Sequence, residues 1–325
     1  MKHSIKITSL LIIFFLITQI IGLTLISLSA NKQTQVIDGK TITTINYTET
    51  ALGERPQFKT SYGPLIYLMS GVFLGTILIF ILMKIKLGGK LWKYWYLMAV
   101  IFSITIALGV ITTKTFALLI GIILGLLKIN KPGDFWIHNT TEILMYAGLG
   151  VLLAPLFTIM WAIILLLIIS FYDAYAVWKS KHMIKLAKFT MKNKLFAGLY
   201  INYKQTNNKT KIILNPSRSI KKTISHPEEA GKPKHEKTTK QAILGGGDVV
   251  FPLILSGTVF TRLLNKGFEP LTAVLTTGII SITTTISLYI LFYAGKKNKF
   301  YPAMPFITTG SLVGLGLIEL ILNIF

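Results

Sequence analysis

The chain has 325 residues, of which 52% are hydrophobic and only 14% charged, with no cysteine and a formal net charge of +22. Its apolar residues fall in long unbroken runs, which excludes an ordinary soluble domain and points to a chain that crosses a bilayer many times. Without cysteine, disulfides, thiolate nucleophiles and thiolate metal sites are excluded, and the basic excess reads as retention of lysine and arginine on one membrane face, with no nucleic-acid partner implied.

In chain order, spans are expected near residues 5–29, 62–84, 91–111, 115–130, 139–155, 156–178, 242–264, 268–294 and 302–324. The first contains 22 uncharged residues from Ile7 to Leu28, enough at ~1.5 Å per residue to cross ~30 Å of hydrocarbon. Small residues at Ser27 to Ala30 resemble a signal-peptide cleavage site, but the run is long for one. Ile143 to Trp178 is 36 nearly continuous apolar residues broken only by Pro155; one helix of that length would measure ~54 Å, so two crossings are expected. The resulting fold class is all-α, a polytopic membrane protein with nine transmembrane helices.

With the N-terminus inside, 27 of the 34 lysines and arginines fall on the inner side, Lys128 and Lys131 among them, which favours an N-in/C-out arrangement. Residues 1–178 then form a six-helix block, 179–241 a basic inner loop, and 242–325 a three-helix block. The loop's first part, residues 179–200, interleaves lysines with apolar residues as a membrane-surface helix would. Residues 217–240 are polar and proline-containing, and are expected to be disordered.

Four acidic residues fall inside the expected spans: Glu142, Asp173, Asp248 and Glu319. A carboxylate deep in a span costs ~2.5–3.5 kcal/mol on insertion scales, so its presence calls for shelter, protonation or function. Asp173 lies shortly before Lys179 and Asp248 shortly after Lys240, which at ~1.5 Å rise per residue sets both ~8–12 Å below the inner surface. Two carboxylates at short distance share a proton and titrate as a unit, the arrangement with which aspartic proteases activate water. A structural role as a helix-locking hydrogen bond, or ion coordination in a transporter, would use the same residues.

All five histidines lie in loops or at span ends and there is no H-E-x-x-H, so zinc and serine–histidine chemistries lack their parts. Glu142, near the start of the fifth span, fits a helix N-terminus and a structural role, and Glu319 lies near the other membrane face. Asn46-Tyr47-Thr48 is a glycosylation sequon on the expected outer side.

Three motifs coincide: Tyr172-Asp173, Gly245-Gly246-Gly247-Asp248, and Pro302-Ala303-Met304-Pro305. Together they resemble the presenilin and signal peptide peptidase family of GxGD intramembrane aspartyl proteases, and the compact chain is similar to microbial, chiefly archaeal, presenilin homologues. The resemblance implies a presenilin-like fold and catalytic roles for Asp173 and Asp248, with Tyr172, Gly245, Gly246 and Gly247 as active-site support. It assigns substrate contact to Pro302, Ala303 and Met304, where Met stands for the family's Leu.

It further implies transmembrane or signal-peptide substrates in the lipid bilayer, and no metal, organic cofactor or obligate partner subunit. A multi-pass protein of a prokaryotic cell membrane is expected, acting on substrates oriented N-out, C-in. From the residues alone, three glycines in a row make the start of the seventh span irregular. A coupled transporter would call for an inverted repeat that the six-plus-three division lacks. A prepilin-type peptidase would lack the Pro-Ala-Met element.

Overall fold

The computed structural model describes residues 5–37, 40–85, 88–180, 197–206, 209–212, 239–295 and 301–324. Among them are nine long α-helices: α1 (Ile5–Ser29), α2 (Gly63–Lys84), α3 (Gly88–Leu108), α4 (Lys114–Asn130), α5 (Phe135–Leu153), α6 (Ile159–Tyr175), α7 (Gly246–Asn265), α8 (Pro270–Ala294) and α9 (Met304–Ile324). Seven of these, all but α4 and α5, are long and apolar enough to cross a membrane. Large apolar side chains of the candidate spans, such as Phe73, Leu74 and Phe171, are exposed on the bundle's outer surface, as expected where the solvent is hydrocarbon. The protein is an integral, multi-pass membrane protein.

The chain is mostly helical, but two small sheets correct the all-α expectation. Strands β1 (Ala30–Ile37) and β2 (Lys40–Tyr47) form an antiparallel hairpin after α1. Strands β3 (Gly198–Thr206), β4 (Lys209–Ile212) and β5 (Thr239–Gly245) form a second sheet in the order β4-β3-β5. Gly198 to Tyr200, expected at the end of a surface helix, are therefore extended. Most of that expected helix, and nearly all of the expected disordered segment, lie outside the described residues.

Pro155 divides α5 from α6 as expected, through a single 3-10 turn at Ala154–Leu156. Proline has no N–H to donate to the carbonyl four residues back, which leaves Val151 short of its helical partner. Arg55, from the segment before α2, fills the gap: its Nε and Nη2 donate to the Val151 carbonyl at 3.3 and 3.2 Å.

Helix α7 lies at the centre, packed by α1, α5, α6, α8 and α9. Hydrophobic transfer does not drive helices together within lipid, so close packing must. Leu253 of α7 supplies it. Its methyl groups occupy the space that a Cβ would need at Gly22 of α1 and at Gly150 of α5, letting three helices meet around one side chain.

Candidate active site

Asp173 sits in the last full turn of α6 and is buried. Its Oδ2 accepts the Met304 N–H at 3.1 Å, with the Ala303 N–H close by. These amides belong to the start of α9, where the first donors of a helix have no internal acceptor. A carboxylate placed there satisfies them and complements the helix dipole. The sequence concentrates the effect, because the prolines at 302 and 305 offer no N–H of their own.

Asp248 is the third residue of α7. Gly245, in extended conformation, caps the helix, and its N–H donates to Asp248 Oδ2 at 3.2 Å. This is the back-reaching arm of a capping box. Pro252, four residues on, cannot donate to the Asp248 carbonyl, which loosens the helix at this point. Helices α6 and α7 pack together, and the Asp173 carboxylate is near enough for its charge to act on Asp248. Two carboxylates 75 positions apart in sequence are thus carried on packed helices, each against a helix N-terminus.

The three glycines differ from the sequence expectation. None has a positive φ, and Gly246 and Gly247 form a regular first turn. The irregularity is instead the junction itself, since β5 runs without a loop into α7. Residues 239–245 therefore rise at ~3.3 Å each instead of ~1.5 Å, which removes the helical premise of the depth estimate for Asp248.

A Cβ at Gly246 would stand 2.6 Å from both Cε1 and Oη of Tyr146; only glycine fits. At Gly245 and Gly247 the nearest atoms would be Asp248 Oδ2 at 3.2 Å and Phe251 Cε2 at 3.1 Å, tight but not closed. Tyr172 lies beside Asp173 on α6 and is partly exposed, Pro302 and Met304 are buried, and Ala303 is half-buried.

A buried polar cluster stands behind Asp248 that the sequence did not disclose. Glu142 is 0% exposed and lies two turns inside α5, whose N-cap is Asp134; its burial, and not a helix terminus, defines its setting. Lys128, assigned from sequence to the inner side at the end of the fourth span, is 4% exposed and donates to Glu142 Oε1 at 2.5 Å. Tyr96 donates to the same oxygen at 2.7 Å, while Tyr146 and the Gly198 N–H, the latter at 3.0 Å, donate to Oε2.

His138 Nε2 donates to the Gly198 carbonyl at 2.8 Å, and the Asn139 amide both donates to and accepts from the Tyr200 backbone at 3.1 Å. Side chains of α5 thereby complete the edge of β3 that β4 leaves unpaired. The signal in the sequence was the polar run His138 to Glu142 with Lys128 at the end of an apolar helix, but nothing in one dimension joins them. Among the described residues no group of three His, Asp or Glu could hold a metal ion.

An integral membrane bundle thus carries two aspartates on packed helices, each at a helix N-terminus. Residues 15–324 match the family described as signal-peptide peptidase, presenilin aspartyl protease, and the chain belongs to it. It is accordingly an aspartic endopeptidase of the intramembrane-cleaving type.

The fold is similar to two solved structures of a presenilin family intramembrane aspartate protease. The first, in space group C222, is 14% identical with TM-score 0.52, covering 95% of this chain and 94% of that one. The second, in P2, is 15% identical with TM-score 0.55, covering 96% of each. Comparison with curated proteins gives no match.

Proposed function

We propose that Asp173 and Asp248 are one water-activating pair that hydrolyses peptide bonds inside the transmembrane segments of single-span proteins or signal peptides. The observation that carries this reading is the approach of the two carboxylates on packed helices in a chain of this family. The ionised member takes a proton from water, the oxygen attacks the scissile carbonyl, and the protonated member donates to the oxyanion. Collapse of the tetrahedral intermediate passes a proton to the leaving amine.

Pro302, Ala303 and Met304 form the wall that a substrate meets, and Tyr172, Gly245, Gly246 and Gly247 hold the pair's surroundings. A helical substrate must unwind to expose its peptide bond. Strand β5, on the outside of its sheet and running directly into Gly245, offers backbone groups to an extended chain.

All nine helices cross the bilayer in this reading, N-in and C-out, in a prokaryotic cell membrane, and substrates enter N-out, C-in. No metal, organic cofactor or obligate partner subunit takes part. The test is cleavage of a single-span substrate by purified protein, comparing wild type with Asp173→Ala and Asp248→Ala. Both variants should be inactive; full cleavage by both would refute the pair.

A further inference from the structure

Lys128, Glu142 and Tyr146 form a fully buried charged cluster that the proposed chemistry does not use. Burying an ion pair gains little over apolar packing of the same volume, whereas breaking one is costly. Stability alone is therefore a weak reason for a membrane bundle to carry it. Its geometry suggests another. Glu142 accepts from four donors on four elements: Lys128 of α4, Tyr96 of α3, Tyr146 one turn along α5, and the Gly198 amide at the start of β3.

Two arms run from this hub to the residues that present Asp248. The Tyr146 phenol, held by Glu142, fills the space beneath Gly246 where a side chain would otherwise stand. Gly198, held by the same carboxylate oxygen, is the register partner of Gly245 across β3 and β5. Gly245 in turn donates to Asp248. Position 246 is the variable place of the GxGD motif, and in this chain a tyrosine from a neighbouring helix supplies the bulk there.

We propose that Glu142, balanced by Lys128, is a positioning residue that acts through Tyr146 and Gly198 to hold the Gly245–Gly246 junction, and with it the Asp248 carboxylate, in working register. The inference rests on the reading of Asp248 as half of the water-activating pair. Misplacing a reacting group by about 1 Å costs up to ~100-fold in rate, so the cluster is expected to act on kcat more than on substrate affinity.

The experiment uses the full chain in lipid vesicles with a single-span substrate, recording kcat, KM and the thermal unfolding midpoint. Tyr146→Phe keeps the ring and removes the bond to Glu142; kcat should fall roughly tenfold with KM within about twofold and the protein still folded at the assay temperature. The paired change Lys128→Met with Glu142→Gln leaves no lone buried charge, loosens both arms and should lower kcat at least as far. Because the Tyr146 arm runs through Glu142, adding Tyr146→Phe to that pair should cause little further loss.

Unchanged kcat in Tyr146→Phe beside an inactive Asp248→Ala would overturn the positioning role and leave the aspartate pair standing. So would losses that multiply in the combined variant, or a kcat that falls only with the folded fraction. Full activity of Asp248→Ala would overturn both readings.

Discussion

The two aspartates occupy opposite kinds of ground. Asp248 stands at the start of α7, whose apolar window is 72% buried within the bundle, whereas Asp173 stands near the end of α6, where the corresponding window is 28% buried. Behind Asp248 lies a saturated polar cluster tied to three helices and a strand. Asp173 is instead flanked by the exposed Phe171 and Tyr175 and is fixed by the first amides of α9. One half of the site is anchored in the core and the other is assembled at its edge. In the proposed reading, a substrate arriving from lipid meets the Asp173 side first.

This contrast can be broken in graded steps. The largest effect is expected from Asp173→Asn and Asp248→Asn, each lowering kcat by roughly 10⁴-fold or more if the two act as one unit, with the double variant no worse than either single. Single-turnover cleavage assays check it, and multiplicative losses would separate the pair.

Next, Gly246→Leu drives a side chain into the Tyr146 ring within the anchored half, so roughly 100-fold loss of kcat together with a lowered unfolding midpoint is expected. Gly71→Ala on peripheral α2, where a Cβ would meet nothing within 4 Å, should leave both unchanged.

On the Asp173 side, Met304→Pro deletes the amide that donates to the carboxylate, at a helix position that tolerates proline. About tenfold loss of kcat is expected, while Met304→Leu, which keeps amide and bulk, should stay near wild type.

Smaller still is the effect of Arg262→Met at the far end of α7, where the guanidinium makes a two-point contact with Glu319 of α9. Both side chains are more than a third exposed, so about 0.5–1 kcal/mol of stability and no change in kcat are expected from unfolding and turnover measurements.

A last prediction concerns β3, away from the aspartate pair, and appears only at high pH. Burial, with help from the charges of Asp134 and Glu142, pushes the Tyr200 phenol up to about 12 from 10.0. The unfolded chain then releases that proton first, so stability should decline as pH rises from about 10 towards 12. Tyr200→Phe should flatten the decline in melting curves taken across that range.

Much of this architecture is legible in one dimension because lipid is an unforgiving solvent. A run such as Ile7 to Leu28 has few alternatives to helix, Pro155 ends a helix wherever it falls, and a carboxylate like Asp173 or Asp248 inside an apolar run stands out by its desolvation cost. Those local rules placed the long helices to within a few residues and singled out the two aspartates, while the Pro-Ala-Met element was marked by the family resemblance. Only the tertiary structure decided the remainder, because it depends on partners distant in sequence. Lys128 reads as an inner-side cation until Glu142 is packed against it, Gly246 as a helix defect until Tyr146 fills its space, and residues 242–245 as helix until β3 supplies their hydrogen bonds. Each is a pairing across the fold, and composition and periodicity along a single chain carry no signal for it.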